Sequence, residues 1–483
     1  MSIKLKPISN ELKLNRIRYE NPWWVDNEIE TQYKTMKSRL YFDLFYPLVE
    51  EKEPRRAVVL MGPRRVGKTV MMYHAISKLL TKNIVDRSRI CFINIENPLY
   101  FGMALEELFA LARSASGFDN PDGYYVFFDE IQYLTNWEIH LKVLVDSYPN
   151  TKFIVSGSAA AALKLKSSES GAGRFTDFLL PPLTFHEYIH LKELNHLIVK
   201  TKIVWRGKTS EWFTTNNIQE LNKHFIDYIN YGGYPEVIFS EKIQSNVGRY
   251  IKSDIIDKVL LRDLPSLYGI ANVQELNTFF TTLVYYCGNE LSLESLSTTS
   301  GVNKLTLKKY LEYLEAAFLI KSVSKIDDCA KKFKRQTNYK VYLTNPSLRS
   351  ALFSPLVATD DAFPHMVETA IFAQWIHRIY FTPWYARWKD GEVDLVALDE
   401  KRLKPIWAVE IKWSNRAIEN PYDELKALLY FCGKNGLKNA IVTTIDKEGV
   451  KLVNDIEIMF VPSSVYTYIV GYNSIENKKA GLF

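Results

Sequence analysis

Through the first fifty residues apolar positions are scattered and mostly aromatic, as in "NPWWVDNEIETQYKTMKSRLYFDLF", with no breaker after Pro22. That pattern predicts a helical lead-in. From residue 57 the pattern changes. Short continuous apolar runs alternate with stretches whose apolar residues return every three or four positions. "AVVLMG" (Ala57 to Gly62), "RICFINIEN" (near Ile90 to Ile95), "YYVFFDEI" (from Tyr124) and "TKFIVSGSA" (ending near Ser156) read as strands. Thr69 to Leu80, "MALEELFALARSA" and "HLKVLVDSY" read as helices between them. Strands alternating with helices predict βαβ units and a parallel sheet. The apolar runs are unbroken, as they must be when a strand is covered on both faces.

Further on, "GAGRFTDFLLPPLTFHEYIHL" predicts a short strand and a helix. Residues 190–270 read as helical, broken by "YGGYPEVI". Residues 275–325 predict two helices around a turn at Gly301, then a strand, which is the layout of a winged helix-turn-helix. Mixed α/β patterning returns from about residue 340: a helix from Val367 to Arg378, strands at "YARWK", "EVDLVAL" and "WAVEIKW", a helix at "DELKALLYFC" and a strand at "NAIVTTI". The expected organisation is a parallel α/β domain with its helical lead-in (1–190), a helical region (191–270), a winged helix-turn-helix (271–339) and a second, mixed α/β domain (340–483).

Composition narrows this little. The 483 residues allow two to four domains, and 47% hydrophobic with 24% charged is ordinary for a globular chain. A net charge of +6 permits nucleic-acid binding without arguing for it. Cys91, Cys287, Cys329 and Cys432 lie too far apart for a zinc site or redox pair and read as reduced thiols. The N-terminus lacks an apolar core and cleavage site, and no run approaches the roughly 20 apolar residues of a membrane helix. A cytoplasmic protein without a membrane partner is expected.

Two stretches carry chemistry. "GPRRVGKT" follows a strand and opens a helix, as a phosphate-binding loop must. Its residues Gly62, Pro63, Arg64, Arg65, Val66, Gly67, Lys68, Thr69 and Val70 are expected to wrap the phosphates of ATP or ADP. Backbone N–H groups point inward, Arg64 and Arg65 point outward, Lys68 reaches the β and γ phosphates and Thr69 ligates Mg²⁺. "YYVFFDE" supplies the partner strand: Asp129 to hold Mg²⁺ through water and Glu130 to polarise the attacking water. In "FIVSGSA", Ser156 or Ser158 is placed to sense the γ-phosphate. Arg174 in "GAGRF" could reach a phosphate of its own chain or of a neighbour in an oligomer.

The second stretch is "GEVDLVALDEKRLKPIWAVEIKW". "GEVDLVAL" and "WAVEIKW" read as a hairpin. Side chains two apart on a strand share a face, so Glu410 and Lys412 point together, and Asp394 can face them from the neighbouring strand. Val409 and Ile411 would take the core side. Asp394 and Glu410 could hold Mg²⁺, and Lys412 could orient a hydroxide. Order and spacing resemble the PD-(D/E)xK nuclease superfamily. That likeness adds Glu368 as a further metal-ligating acid and Tyr430 as a position used in some branches.

"GPRRVGKT", "VFFDEIQYL", "FIVSGSA", "GAGRFTDFLLPPLTFHEY" and "YGGYPEVI", in this order, resemble a prokaryotic AAA-type ATPase family related to the STAND-like ATPases. Its members pair the ATPase with a winged helix and a C-terminal restriction-endonuclease-like domain. Where that family often has Asp, "VYLTNPSL" has Asn345. The resemblance implies ATP binding and hydrolysis with Mg²⁺. The expected function is an ATPase coupled to a nuclease-like effector acting on DNA or RNA. The alternative is an ATP-dependent signalling switch whose C-terminal domain binds a protein partner.

Overall fold

The computed structural model describes residues 9–158, 173–205, 207–332, 338–378, 381–399 and 401–479. The chain forms two compact units, Met1–Pro181 and Pro182–Phe483.

The first unit is built on five strands: β1 (Ala57–Gly62), β2 (Ile90–Asn94), β3 (Tyr125–Asp129), β4 (Lys152–Ser158) and β5 (Phe175–Leu179). Their order is β2-β3-β4-β1-β5 and every pairing is parallel. The four apolar runs are buried almost throughout, whereas β5, at an edge, is half-exposed. Helices Lys68–Thr81, Leu105–Ser116 and Trp137–Ser147 supply the crossovers between parallel strands. Val59, Ile93, Phe109, Val126, Phe128, Leu141 and Val155 form the centre of one core. Among the described residues the lead-in is four helices rather than one continuous element: Asn10–Glu20, Trp23–Asp26, Thr31–Lys34 and Phe42–Glu50. Its Asn21 side chain does what a sixth strand would. Its carboxamide accepts from Phe92 N at 2.6 Å and donates to Phe92 O at 2.8 Å, closing the exposed edge of β2. The indole of the fully buried Trp23 donates to Ile90 O on the same strand.

The second unit holds a two-stranded hairpin, β6 (Ile198–Trp205) with β7 (Lys208–Thr215), and a nine-stranded mixed sheet. The sheet contains β8 (Glu290–Ser292), β9 (Ile320–Ile326), β10 (Asn338–Leu343), β11 (Trp384–Trp388), β12 (Gly391–Leu398), β13 (Pro405–Glu410), β14 (Asn439–Thr444), β15 (Gly449–Val453) and β16 (Ile456–Pro462). Their order is β15-β16-β14-β13-β12-β11-β9-β10-β8. Helices Leu293–Ser300 and Lys304–Ala316 meet at Gly301, whose φ of +71° favours glycine, and lead directly into β9.

Two expectations are corrected. The stretch taken as helical, 191–270, contains the β6–β7 hairpin. Its β-branched run "IVKTKIV" and the left-handed Gly207 carried that signal. A boundary between residues 339 and 340 falls inside β10, and β9 pairs in parallel with β11, so one sheet runs across it.

The motifs "PLTFHE" and "YGGYP" meet in the second unit as a buried polar lock. Leu183 N donates to Gly233 O, and the Tyr228 hydroxyl donates to Leu183 O at 2.8 Å. The Gln374 carboxamide donates to that hydroxyl at 2.9 Å and accepts from Phe185 N at 3.0 Å. A Cβ on Gly233 would stand 2.6 Å from Asn345 Oδ1, so the glycine and Asn345 are matched in shape.

Candidate functional site

In the first unit the phosphate-loop residues come together between β1 and helix Lys68–Thr81. Gly62 is forced by space: a Cβ there would lie 2.3 Å from Leu180 O. Arg65 (φ +88°) and Gly67 (φ +95°) adopt left-handed backbone, which folds the loop back on itself. Arg65 is exposed, as expected. Arg64 is half-buried and reaches the Tyr133 hydroxyl, so it is not simply outward. Arg39, absent from the sequence reading, braces the loop: its buried guanidinium donates to Val66 O at 3.1 Å and to Pro181 O at 2.8 Å.

The Lys68 ammonium is buried and donates to two carbonyls of its own loop, Gly62 O at 3.1 Å and Pro63 O at 3.0 Å. Helix Lys68–Thr81 starts at Gly67 with no side-chain cap, which leaves its first N–H groups for an anion. The Thr69 hydroxyl donates to Asp129 Oδ2 at 2.7 Å, so the two expected Mg²⁺ ligands already touch. The other Asp129 oxygen accepts from Ser156 Oγ. Burial raises the Asp129 carboxyl to about 6, aided by the neighbouring Glu130 charge and opposed by the Ser156 and Thr69 hydrogen bonds.

Glu130 sits in left-handed backbone (φ +56°), and its N–H donates to Ser156 Oγ at 3.1 Å. Its carboxylate accepts from the Gln132 carboxamide, whose oxygen accepts from Ser158 N at 3.0 Å. Ser156, expected to read the γ-phosphate, is therefore engaged with the acid strand. Ser158 pairs in register with Gly62, and its Oγ is buried without a hydrogen-bond partner. Such an orphan hydroxyl beside a phosphate loop suits a phosphate oxygen. Gln132 carried no motif signal, because its role depends on two strands it does not belong to.

Arg174 is placed away from the loop of its own chain. It precedes β5 at the opposite end of the parallel sheet, its carbonyl accepts from Ala57 N, and its guanidinium pairs with Asp146 at 2.7 Å. A parallel strand runs about 3.3 Å per residue, so the length of β1 separates it from the loop.

The donor set fits Mg-ATP. Thr69 and Asp129 offer the hard oxygen ligands Mg²⁺ prefers, Lys68 and the uncapped amides offer the phosphate cradle, and Ser158 Oγ lacks a partner until something arrives.

The second centre lies on β10, β12, β13 and helix Phe363–Trp375. The expected hairpin forms: β12 and β13 are antiparallel, with Leu395 opposite Val409. From Ala408 to Glu410, however, both faces of β13 are covered. Ala408, two residues before Glu410 and so on its face, lies in a core with Val396, Phe431 and Val442. Glu410 and Glu368 are each only 8% exposed, so the acids are not a solvated strand face. Lys412 pairs with Glu410 at 2.8 Å, and Asp394 Oδ2 accepts from Ile411 N at 2.8 Å.

A residue missed in the sequence dominates this centre. Lys340 on β10, 3% exposed, contacts Glu368 at 3.1 Å, Asp394 at 3.5 Å and, closest, Glu392. The Tyr342 hydroxyl donates to the same Glu368 oxygen as Lys340. Burial raises the carboxyls of Glu368 and Glu410, Asp394 adding to both, while Lys340 and Lys412 oppose it. The Glu410 Oε2 atom is buried without a partner. Tyr430 is half-exposed and is engaged elsewhere, donating to Asp328 at 3.1 Å.

As it stands this donor set does not fit a divalent cation. Among the described residues, the ligand atoms of Asp327, Asp328 and Cys329 come within 4.8 Å of one another, whereas those of Glu368, Asp394 and Glu410 do not gather so closely. An ammonium already stands among the acids, and Glu410 Oε2 is buried without a partner.

No helix among the described residues is long and apolar enough to cross a membrane, and all four cysteines are free. Residues 54–189 match the family model of an AAA domain, AAA_14, and residues 222–359 match a domain of unknown function, DUF8612. The chain is 27% identical over 272 residues to the uncharacterized protein MJ1544 of Methanocaldococcus jannaschii, covering 55% of this chain and 56% of that protein, so it aligns with little more than half the length of that relative. It is 24% identical over 423 residues to an uncharacterized protein of Haemophilus influenzae, covering 86% and 95%. Among solved structures, the Aeropyrum pernix ORC1 protein in complex with DNA aligns at a TM-score of 0.34 with 10% identity, covering 68% of this chain and 95% of that one. The ORC2 protein of the same organism, in ADPNP–ADP complexes, aligns at 0.36 with 13% identity, covering 71% and 94%. With the parallel sheet, the loop and its acid strand in place, the family match makes residues 54–189 an AAA-type P-loop domain.

Proposed function

We propose that this protein binds Mg-ATP at the first unit and hydrolyses it. The observation that carries this reading is the pairing of Thr69 with Asp129 beside a buried Lys68, with Ser158 Oγ left without a partner. Lys68 would exchange its two loop carbonyls for β and γ phosphate oxygens. Thr69 and Asp129 would hold Mg²⁺, which offsets phosphate charge when bound. Glu130, steered by Gln132, would orient the attacking water and take its proton. Ser158 would bond the γ-phosphate and, through its N–H on Gln132, tie that contact to the Glu130 carboxylate. Arg174 would act only on a neighbour's nucleotide, in an oligomer.

Phosphate release from the purified full chain tests this. Lys68→Ala is expected to lose nucleotide binding. Glu130→Gln is expected to retain ATP binding and lose turnover by about 10²-fold or more. Ser158→Ala is expected to lower kcat with little change in ADP affinity. Turnover that survives Glu130→Gln would sink the assignment.

For the second unit two readings stand. One is a nuclease-like effector acting on nucleic acid, with helix Lys304–Ala316 presenting exposed Lys308 and Lys309 as a winged-helix contact. The other is a non-catalytic effector that binds a protein partner in an ATP-dependent switch. The Lys340 ammonium among the acids favours the second, because it removes the metal on which cleavage would depend.

A further inference from the structure

The carboxylates of the second unit do not wait for a cation; one is built in. Lys340 comes from β10, and Glu392 and Asp394 come from β12, with β11 and β9 between them in the sheet order. Three strand spacings of about 4.8 Å part β10 from β12, and the side chains meet across them. At their meeting point the Lys340 ammonium stands within 3.5 Å of three carboxylates, two from β12 and one from helix Phe363–Trp375. It also lies 5.6 Å from the centre of the Tyr385 ring, which closes another side.

The remaining acceptors are mostly spent on the chain itself. Tyr342 shares the Glu368 oxygen that Lys340 takes, Ile411 N takes the second Asp394 oxygen, and Lys412 takes a Glu410 oxygen. Arg387 pairs with Glu392 at 2.8 Å, and Lys325 with Glu290 at 3.4 Å. Four acids (Glu290, Glu368, Glu392, Asp394) and three cations (Lys325, Lys340, Arg387) thus form one chain of ion pairs, with the Lys412–Glu410 pair beside Asp394. A divalent ion entering it would have to displace a buried ammonium or stand within a few ångströms of it, where like charges repel strongly in a low dielectric.

We infer that Lys340 is the resident cation of this acid cluster and holds the position a divalent metal ion would take, which leaves the second unit a metal-free acid–lysine centre. Removing the ammonium would uncover Glu368, Glu392 and Asp394 together, a hard-oxygen set suited to Mg²⁺ or Mn²⁺. The inference is independent of the ATPase reading, since it concerns no residue of the phosphate loop.

The test is Mn²⁺ binding to the full chain, followed by the electron paramagnetic resonance signal of free Mn²⁺. An Asp129→Asn parent without nucleotide excludes the loop site. The parent is expected to bind no Mn²⁺ in an Asp394-dependent manner. Adding Lys340→Met is expected to tighten Mn²⁺ binding by about tenfold or more, and adding Asp394→Asn to that variant should abolish the gain. Lys340→Arg, which keeps the cation, should bind like the parent. If the parent itself binds Mn²⁺ and loses it on Asp394→Asn or Glu410→Gln, the inference is overturned. The same holds if Lys340→Met folds, by circular dichroism, and gains nothing. Should Lys340→Met fail to fold, Lys340→Gln replaces it, and the parent with and without Asp394→Asn still decides.

Discussion

At the level of single residues, both centres place a buried acid against a hydroxyl or an ammonium, with different consequences for stability. Asp129 is held by two hydroxyls and no direct cation, and burial raises its carboxyl from 3.8 to about 6. An acid whose pKa is higher folded than unfolded binds more protons in the native state between those two values. It therefore costs stability as pH rises from about 4 to about 6, and the full cost remains above that window. Without nucleotide, Asp129→Asn is expected to be more stable than wild type at pH 7 by about 1–3 kcal/mol, and equal to it near pH 4. Urea unfolding at both pH values checks this. A variant less stable than wild type at pH 7 would show that Asp129 is satisfied in the resting site. The same substitution should abolish Mg²⁺-dependent ATP turnover, so stability and function would move in opposite directions at one residue.

Elements set the precision of the site. β1 must end in a residue without a side chain because β5 passes against it, with Leu180 O 2.3 Å from where a Cβ would stand. Gly62→Ala is expected to destabilise the first unit by about 2–4 kcal/mol, since the obstacle is backbone and cannot rotate away. Nucleotide affinity should fall with it, and calorimetric titration with ADP would read the loss. Unchanged affinity would mean that β5 yields freely. The buried lock of Tyr228, Gln374, Leu183 and Gly233 plays the corresponding part in the second unit. It gives "PLTFHE" and "YGGYP" a packing role in the second unit.

Across the whole molecule, the switch reading makes a thermodynamic claim about two units. A nucleotide at about 100 times its Kd stabilises the state that binds it by about 2.7 kcal/mol. If the units are energetically coupled, ATP should raise both transitions in a calorimetric scan. If they are independent, only the transition assigned to the first unit should rise. The second result would remove the basis for a switch while leaving the ATPase untouched. Much of this architecture was legible in the chain. "AVVLMG", "YYVFFDE" and "FIVSGS" are continuous apolar runs ending in chemistry, and local pattern suffices because a parallel strand buried on both faces must look that way. The loop was legible for a similar reason: its glycines, Lys68 and Thr69 act within eight consecutive residues. The hairpin β6–β7 was overlooked although its β-branched run announced it. What the sequence could not contain is proximity between distant strands. Ser158 rather than Ser156 is the unpartnered hydroxyl because β4 registers Ser158 against Gly62 and turns Ser156 toward Asp129. Gln132 matters because the chain end of β4 passes over it. Lys340 reads as a lysine in an ordinary strand until the fold sets its ammonium among Glu368, Glu392 and Asp394. Local pattern determined which elements form and which loop could hold phosphate. Tertiary structure alone decided which charges meet, because Coulomb energy depends on distance in space and the sequence records distance only along the chain.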